Sequence, residues 1–179
     1  MVEALTAITI TSVAGGALLV SIAGSVQSST QLAQAAVARG LAEQLVDEIA
    51  AVRFPAAANS TPGGSARTNF DDIDDYHNWS ARPPQDRQGR EIGTEGYQSG
   101  GASSTRLPEM RPDSQSLGGL TRSVIVERVQ PDSGSGWTVV SQHTNFRRVT
   151  VRVAYTNAQS QTVTLAAITR IFSYVPITP

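Results

Sequence analysis

Between Glu3 and Arg39 the chain carries no charge. Every residue in that interval is Ala, Val, Leu, Ile, Gly, Ser, Thr or Gln, and no proline interrupts the chain from Val2 to Arg53. A stretch of this kind has few options. The apolar part, Ala4 to about Val26, is long enough to cross a bilayer at ~20 residues per span. With nothing to break it, it reads as one helix continuing to the neighbourhood of Arg53, roughly 50 residues and about 75 Å at 1.5 Å per residue. A helix of that length cannot be buried in so small a domain, so its first half must lie in lipid or against other copies. Glu3, at the mouth of the run, is a lone carboxylate that is costly in lipid and calls for a partner. The plainer alternative leaves it in the headgroup region, paired with nothing.

Composition narrows the function classes. The 179 residues suffice for one medium domain plus an extended segment. A formal net charge of -1 offers no basic excess to draw nucleic acid. The absence of cysteine removes disulfides, thiolate metal sites and thiol nucleophiles together. Aromatics are 6% of residues and scattered, which argues against a stacking platform for single-stranded nucleic acid. No Lys or Arg precedes the apolar run, whereas secretory signals and uncleaved anchors carry flanking positive charge. The expectation is that an upstream leader has been removed, or that numbering starts at an internal Met.

Three regions are expected: residues 1–54 as the helix, 55–119 as a long loop region, and 120–179 as a sheet. In the second half of the helix Leu32, Ala36, Leu41, Leu45, Ile49 and Val52 recur at mainly three to five residues, an apolar stripe with Glu43, Asp47 and Glu48 on the other side. Phe54-Pro55 is expected to end it, because proline pushes the preceding residue out of the helical region. Gly15-Gly16 interrupts the apolar half, each glycine costing ~1 kcal/mol against alanine. It serves either a close helix–helix contact or a place where the helix melts on assembly, and glycine permits both.

Residues 55–119 are rich in Gly, Pro, Ser and Asp, with turn signals at Pro62-Gly63-Gly64, Pro83-Pro84, Gly100-Gly101 and Gly118-Gly119. Within them Phe70–Trp79 should dock through its aromatics. Strands are predicted at Leu120–Val129, Arg147–Tyr155 and Thr162–Phe172, each with alternating Val, Leu or Ile. Short polar connections make the sheet antiparallel. The amphipathic half of the helix is the available cover for its apolar face. The fold class is therefore α+β: one long N-terminal helix packed on a small antiparallel sheet, with a long irregular loop.

Few constellations carry chemistry. Asp71, Asp72, Asp74 and Asp75 form the densest carboxylate group. Calcium takes several oxygens on a flexible loop, but the EF-hand pattern fails at Tyr76 and lacks its glycine. The other reading is a solvated acidic turn, paired with Arg67, Arg82 or Arg87. His77 and His143 lack metal-ligand spacing and nothing resembles a nucleophile elbow, so both read as surface or packing residues. Arg147-Arg148 reads as a solvated strand edge or a salt bridge to a neighbour. No glycine pair is followed by Lys-Ser/Thr, so there is no phosphate loop. Asn59-Ser-Thr61 and Asn78-Trp-Ser80 match the N-glycosylation sequon, and the Ser/Thr stretch 99–105 could carry O-linked sugar.

Met1-Val-Glu-Ala-Leu-Thr-Ala-Ile-Thr-Ile, continued by Leu41-Ala-Glu-Gln-Leu-Val-Asp-Glu-Ile49, resembles the type IV pilin-like proteins, including the pseudopilins of type II secretion. Phe70–Trp79 with Pro83-Pro84-Gln-Asp-Arg87 looks like a segment of large-looped members. The resemblance is specific over residues 1–54 and, beyond them, one of topology. It implies a leader cut by a prepilin peptidase, a helix that waits in the cytoplasmic membrane, and a homopolymer outside it, extracellular or periplasmic, built by pilus assembly machinery. It implies that Glu3 pairs with a neighbouring subunit's N-terminal ammonium, although the family glutamate is usually the fifth mature residue. Calcium-binding pseudopilins add interest to the aspartates. The reading is a filament subunit with no catalysis, no cofactor other than a possible calcium, and no nucleic-acid partner. The alternatives are a minor pseudopilin of a secretion system and a membrane-anchored binding or adhesion module.

Overall fold

In the first half of the long helix every side chain is solvent-facing, while in the second half a stripe is sealed from water. This computed structural model of the protein describes residues 1–55, 66–93 and 117–174. The chain divides into two units, Met1–Val37 and Ala38–Pro179. Helix α1, Val2–Ala50, runs through the first unit into the second.

In the first unit all residues from Met1 to Gln34 are exposed. Five hydroxyls here bond to their own helix. The hydroxyls of Thr9, Thr11, Ser12 and Thr30 each donate to the carbonyl four residues earlier, at 2.7 to 3.0 Å. Thr6 donates to the carbonyls of both Val2 and Glu3. Such back-bonding removes the hydroxyl's demand for water, as an apolar solvent requires. The helix continues unbroken through Gly15 and Gly16, and a Cβ added at either would meet nothing within 4 Å. Among the described residues, neither glycine faces a neighbouring segment.

In the second unit α1 buries Ala38, Leu41, Ala42, Leu45, Val46 and Ile49. Leu32 and Ala36, expected in this stripe, are exposed, and Val52 is half-buried against the core. The helix also ends earlier than Phe54-Pro55 would dictate. Its last turn tightens through Ala51 N–H to Glu48 and Val52 N–H to Ile49, after which Arg53 and Asp72 pair as an isolated parallel bridge. A long-range backbone pairing therefore claims Arg53 before the proline acts.

The sheet is antiparallel with strand order β1-β2-β4-β5, and β3 pairs with β2. The strands are β1 Ser80–Ala81, β2 Leu120–Pro131, β3 Trp137–Val139, β4 Phe146–Thr156 and β5 Thr162–Ser173. The three predicted strands correspond to β2, β4 and β5. Alternation does the work: Val124 and Val126 stand opposite Val151 and Val149, and all are buried. Opposite residues share a face, so this valine face forms one cluster with the α1 stripe. β3 lies inside the expected connection 130–145, and β1 inside the expected loop region. Phe70, Ile73 and Tyr76 of the Phe70–Trp79 segment are buried in the same core.

Leu45 is 0% exposed and Leu32 69%. In urea unfolding of the detergent-solubilised full chain, followed by tryptophan fluorescence, Leu45→Ala is expected to lower stability by about 2–5 kcal/mol. Leu32→Ala should stay within about 0.5 kcal/mol of wild type.

Candidate functional site

Glu3 sits in the first turn of α1, exposed, where the helix dipole favours a carboxylate. Among the described residues it has no ion-pair partner. The first unit thus offers a membrane-length helix, apolar and uncharged after Glu3, with mean hydropathy 1.9 over its best window and none of that window buried.

The aspartate segment is not a solvated turn. Asp72 Oδ1 accepts the N–H groups of Asp74 and Asp75 at 2.8 and 3.2 Å. Asp75 Oδ2 accepts those of Asp71 and Asp72 at 2.9 and 3.1 Å. Asp72 and Asp75 are buried. Asp74 takes a two-pronged grip from Arg147, Nε to Oδ1 at 2.6 Å and Nη2 to Oδ2 at 3.0 Å. Asp71 pairs with Arg53. None of the expected arginines, Arg67, Arg82 or Arg87, is an ion-pair partner of these aspartates among the described residues. Burial, and then the neighbouring Asp75 charge, pushes the Asp72 carboxyl above its ordinary value.

Asp71, Asp72 and Asp75 bring carboxylate oxygens within 4.8 Å of one another, the spacing a hard cation would use. Asp74 stands outside that group, held by Arg147. Asp72 and Asp75 already accept four backbone N–H groups, and Asp71 already pairs with Arg53.

Arg147 is a correction to the solvated-edge reading. It is 0% exposed, and its guanidinium lies 5.1 Å from the Phe54 ring as well as on Asp74. Arg148 points to the other face and pairs with Glu127 at 2.8 Å. Arg67 is buried too, donating to Glu48 at 2.8 Å. It stacks 4.3 Å from the ring centre of Trp79 and 4.7 Å from that of Tyr76. Glu48, expected on the outer side of α1, is therefore turned into the head, its side chain 14% exposed. Tyr76 also donates to Glu48, at 2.8 Å. Desolvation and the Glu48 charge push the Tyr76 phenol up to about 12.

Arg122 is the fourth arginine that the fold secures. It occupies a core-facing position between Leu120 and Val124, is 0% exposed, and donates Nη1 to the Gln85 carbonyl at 3.1 Å. Burial brings it down to about 10. The sequence held one signal for it: its phase in the Leu120, Arg122, Val124, Val126 alternation. The sequence placed Glu48 on the outer side of α1, offered Arg67 only as a partner for the aspartates and Tyr76 only within the docking segment Phe70–Trp79, and carried no signal that joins the three.

His77 is exposed. Its Nδ1 accepts the Val126 N–H at 3.3 Å on the edge of β2. His143 is exposed. Asn78 is exposed with φ 60°, so its sequon is accessible, while Asn59, Pro62-Gly63-Gly64, Gly100-Gly101 and the 99–105 stretch lie outside the described residues. A cleft of ≈ 440 Å³ opens beside His77, lined by Asp74, Glu127, Arg128 and Val139 among others.

No family model, no curated protein and no solved structure matches this chain.

Asp74→Ala is expected to cost about 3–5 kcal/mol, since it leaves Arg147 buried and unpaired. Asp71→Ala removes an exposed pair and should cost less than about 1 kcal/mol. Chemical unfolding of the two variants checks the contrast. For Asp72 the folded state holds its proton more tightly than the unfolded state, so stability falls as pH rises from 3.8 through the raised value. Asp72→Asn keeps the Oδ1 acceptor and should match or exceed wild type near pH 7, the difference vanishing as pH falls towards 3.8. Thermal unfolding across that range checks it.

Proposed function

We propose that this chain is a structural subunit of a type IV pilin-like helical filament, stored in the cytoplasmic membrane through its N-terminal helix before assembly. One observation carries the reading. The exposed, uncharged helix does not stop after a membrane-length span but continues without a break into the stretch that gives Ala38, Leu41, Ala42, Leu45, Val46 and Ile49 to the head's core. A pure anchor needs only ~20 residues and a linker. A helix unbroken from Val2 to Ala50 exceeds that need and is what a pilin-like subunit would carry.

The physics of the first unit supports both stages. In lipid its backbone is satisfied internally, and its hydroxyls bond to their own helix. On assembly the same surface meets other copies. Lipid is already as apolar as the partner helix, so transfer gains little from the hydrophobic effect, and packing supplies the preference. Glu3 then acts as the register group, pairing with the terminal ammonium of another copy. A buried pair adds little stability over an apolar replacement but disfavours misaligned neighbours. The partners are copies of this chain, the membrane, a prepilin peptidase and the assembly machinery. The chain performs no catalysis, engages no nucleic acid, and ends in an extracellular or periplasmic filament.

The second reading, a membrane-anchored binding module, is favoured by the cleft beside His77, whose mixed polar and apolar lining suits a small ligand. Cryo-electron microscopy of material sheared from producing cells separates the two. The filament reading expects a fibre with this chain in every repeat. Membrane-retained protein and no fibre would favour the module, or a minor pseudopilin.

Glu3→Ala should leave the head's unfolding midpoint unchanged and reduce sheared filament severely. Normal filament yield from that variant would remove Glu3 from the assembly site.

A further inference from the structure

The head has two broad surfaces that take no part in its own core: the outward side of α1 and the sheet face turned away from α1. An antiparallel sheet can keep one face in water, so exposure alone assigns nothing. The charges do.

The uncovered sheet face follows from the register. The buried face of β4 carries Val149, Val151 and Val153, so Arg148, Thr150, Arg152 and Ala154 point the other way. Arg152 lies at the centre, with Ser123 of β2 opposite on one side and Ala167 of β5 on the other. Around it lie Thr150 and Thr169, whose hydroxyls bond to each other at 3.1 Å. The side chains flanking Arg152 are small, with Ile125 of β2 opposite Thr150 and Ile171 of β5 opposite Arg148 on the same face. Its other charges cancel, because Arg148 and Glu127 pair with each other. Arg152 is exposed and, among the described residues, has no ion-pair partner. Arg170 has none either, but its register opposite Val149 puts it on the α1 side.

The outward side of α1 is the complement. At 3.6 residues per turn, Asp47 stands roughly opposite the buried stripe of Leu41, Leu45 and Ile49. Gly40 is on the same side, one heptad earlier, and a Cβ there would meet nothing within 4 Å. Arg39 and Glu43 neutralise each other at 2.9 Å. Asp47 is exposed and, among the described residues, has no ion-pair partner. Among the described residues, each surface thus bears one charge without an ion-pair partner, and the two are of opposite sign.

We propose that these surfaces dock on each other between copies, with Asp47 of one head against Arg152 of the next. The two patches differ, so the contact is heterologous: every copy has one donor face and one acceptor face, and unless rotation closes a ring the contact propagates as a helix. It repeats between chains the helix-on-sheet layer that α1 makes within one. This inference rests on the filament reading and supplies its head-to-head contact.

The chain's lack of cysteine makes a direct test clean. Gln44→Cys and Ala167→Cys place thiols beside Asp47 and Arg152 while leaving both charges intact. Membranes from cells producing the full-length double-cysteine chain are mildly oxidised and run without reductant. A ladder of dimer, trimer and higher species is expected, with either cysteine alone giving nothing above dimer. Adding Arg152→Glu should reduce the ladder by about tenfold or more, as for a mispaired interfacial charge, and adding Asp47→Arg as well should restore it. A missing ladder, a ladder indifferent to Arg152→Glu, or a failure of the double reversal to restore it would each overturn the contact. Filament yield from unmodified cells is scored separately. A charge-dependent ladder without filaments supports the docking and defeats the filament reading, while filaments without a ladder do the opposite.

Discussion

Leu41, Leu45 and Ile49 of α1, pressed on Val124, Val149 and Val151 of the sheet, are the contact around which the rest of the head is arranged. An antiparallel sheet with a valine face has to bury it, and the helix supplies a matching stripe without changing course. In the first unit Leu5, Ile8, Ile10, Leu18 and Leu19 are exposed, while helix α1 itself is continuous from Val2 to Ala50.

Arginine holds the irregular part of the head in place. The chain has fourteen basic residues, all arginine. Guanidinium groups suit burial better than ammonium groups, because they are less strongly hydrated, grip carboxylates with two prongs and stack on rings. Arg147 grips Asp74, and Arg67 links Glu48 to the rings of Tyr76 and Trp79. Through these two pairs the turn at Asp74–Tyr76 is tied both to β4 and to the end of α1. A buried pair of this kind contributes little net stability, but its loss is severe and its geometry is specific. Its role here is to orient the polar groups of a turn-rich segment that Phe70, Ile73 and Tyr76 anchor in the core.

The same logic separates the two ends of the proposed assembly. In the proposed transfer of the first unit from lipid to other copies there would be no water to exclude, so contact between helices would depend on close packing and on where one carboxylate finds its counter-charge. In the head there is water, and burial of the sheet face around Arg152 would be driven both by area, at roughly 25 cal/mol per Å², and by pairing with Asp47. A filament held by two dissimilar contacts has a register at its core and another at its surface. Each limits the slippage that the other alone would allow.

What the sequence determined is what periodicity over a few residues can encode. The uncharged, proline-free run specifies α1, and alternating β-branched residues specify β2, β4 and β5 to within about two residues, because propensity and pattern agree there. The brief pairings β1 and β3, with two and three residues, carry too little pattern to be seen. The charged groups were misplaced for a different reason. Glu48 looks like an outer-face residue on a helical wheel, and the aspartates look solvated. Their partners are Arg67, 19 residues from Glu48, and Arg147, 73 residues from Asp74. A side chain's own neighbourhood says whether it can be charged. Whether that charge meets water or a buried guanidinium depends on which distant segment the fold lays across it, and only the tertiary structure decides that.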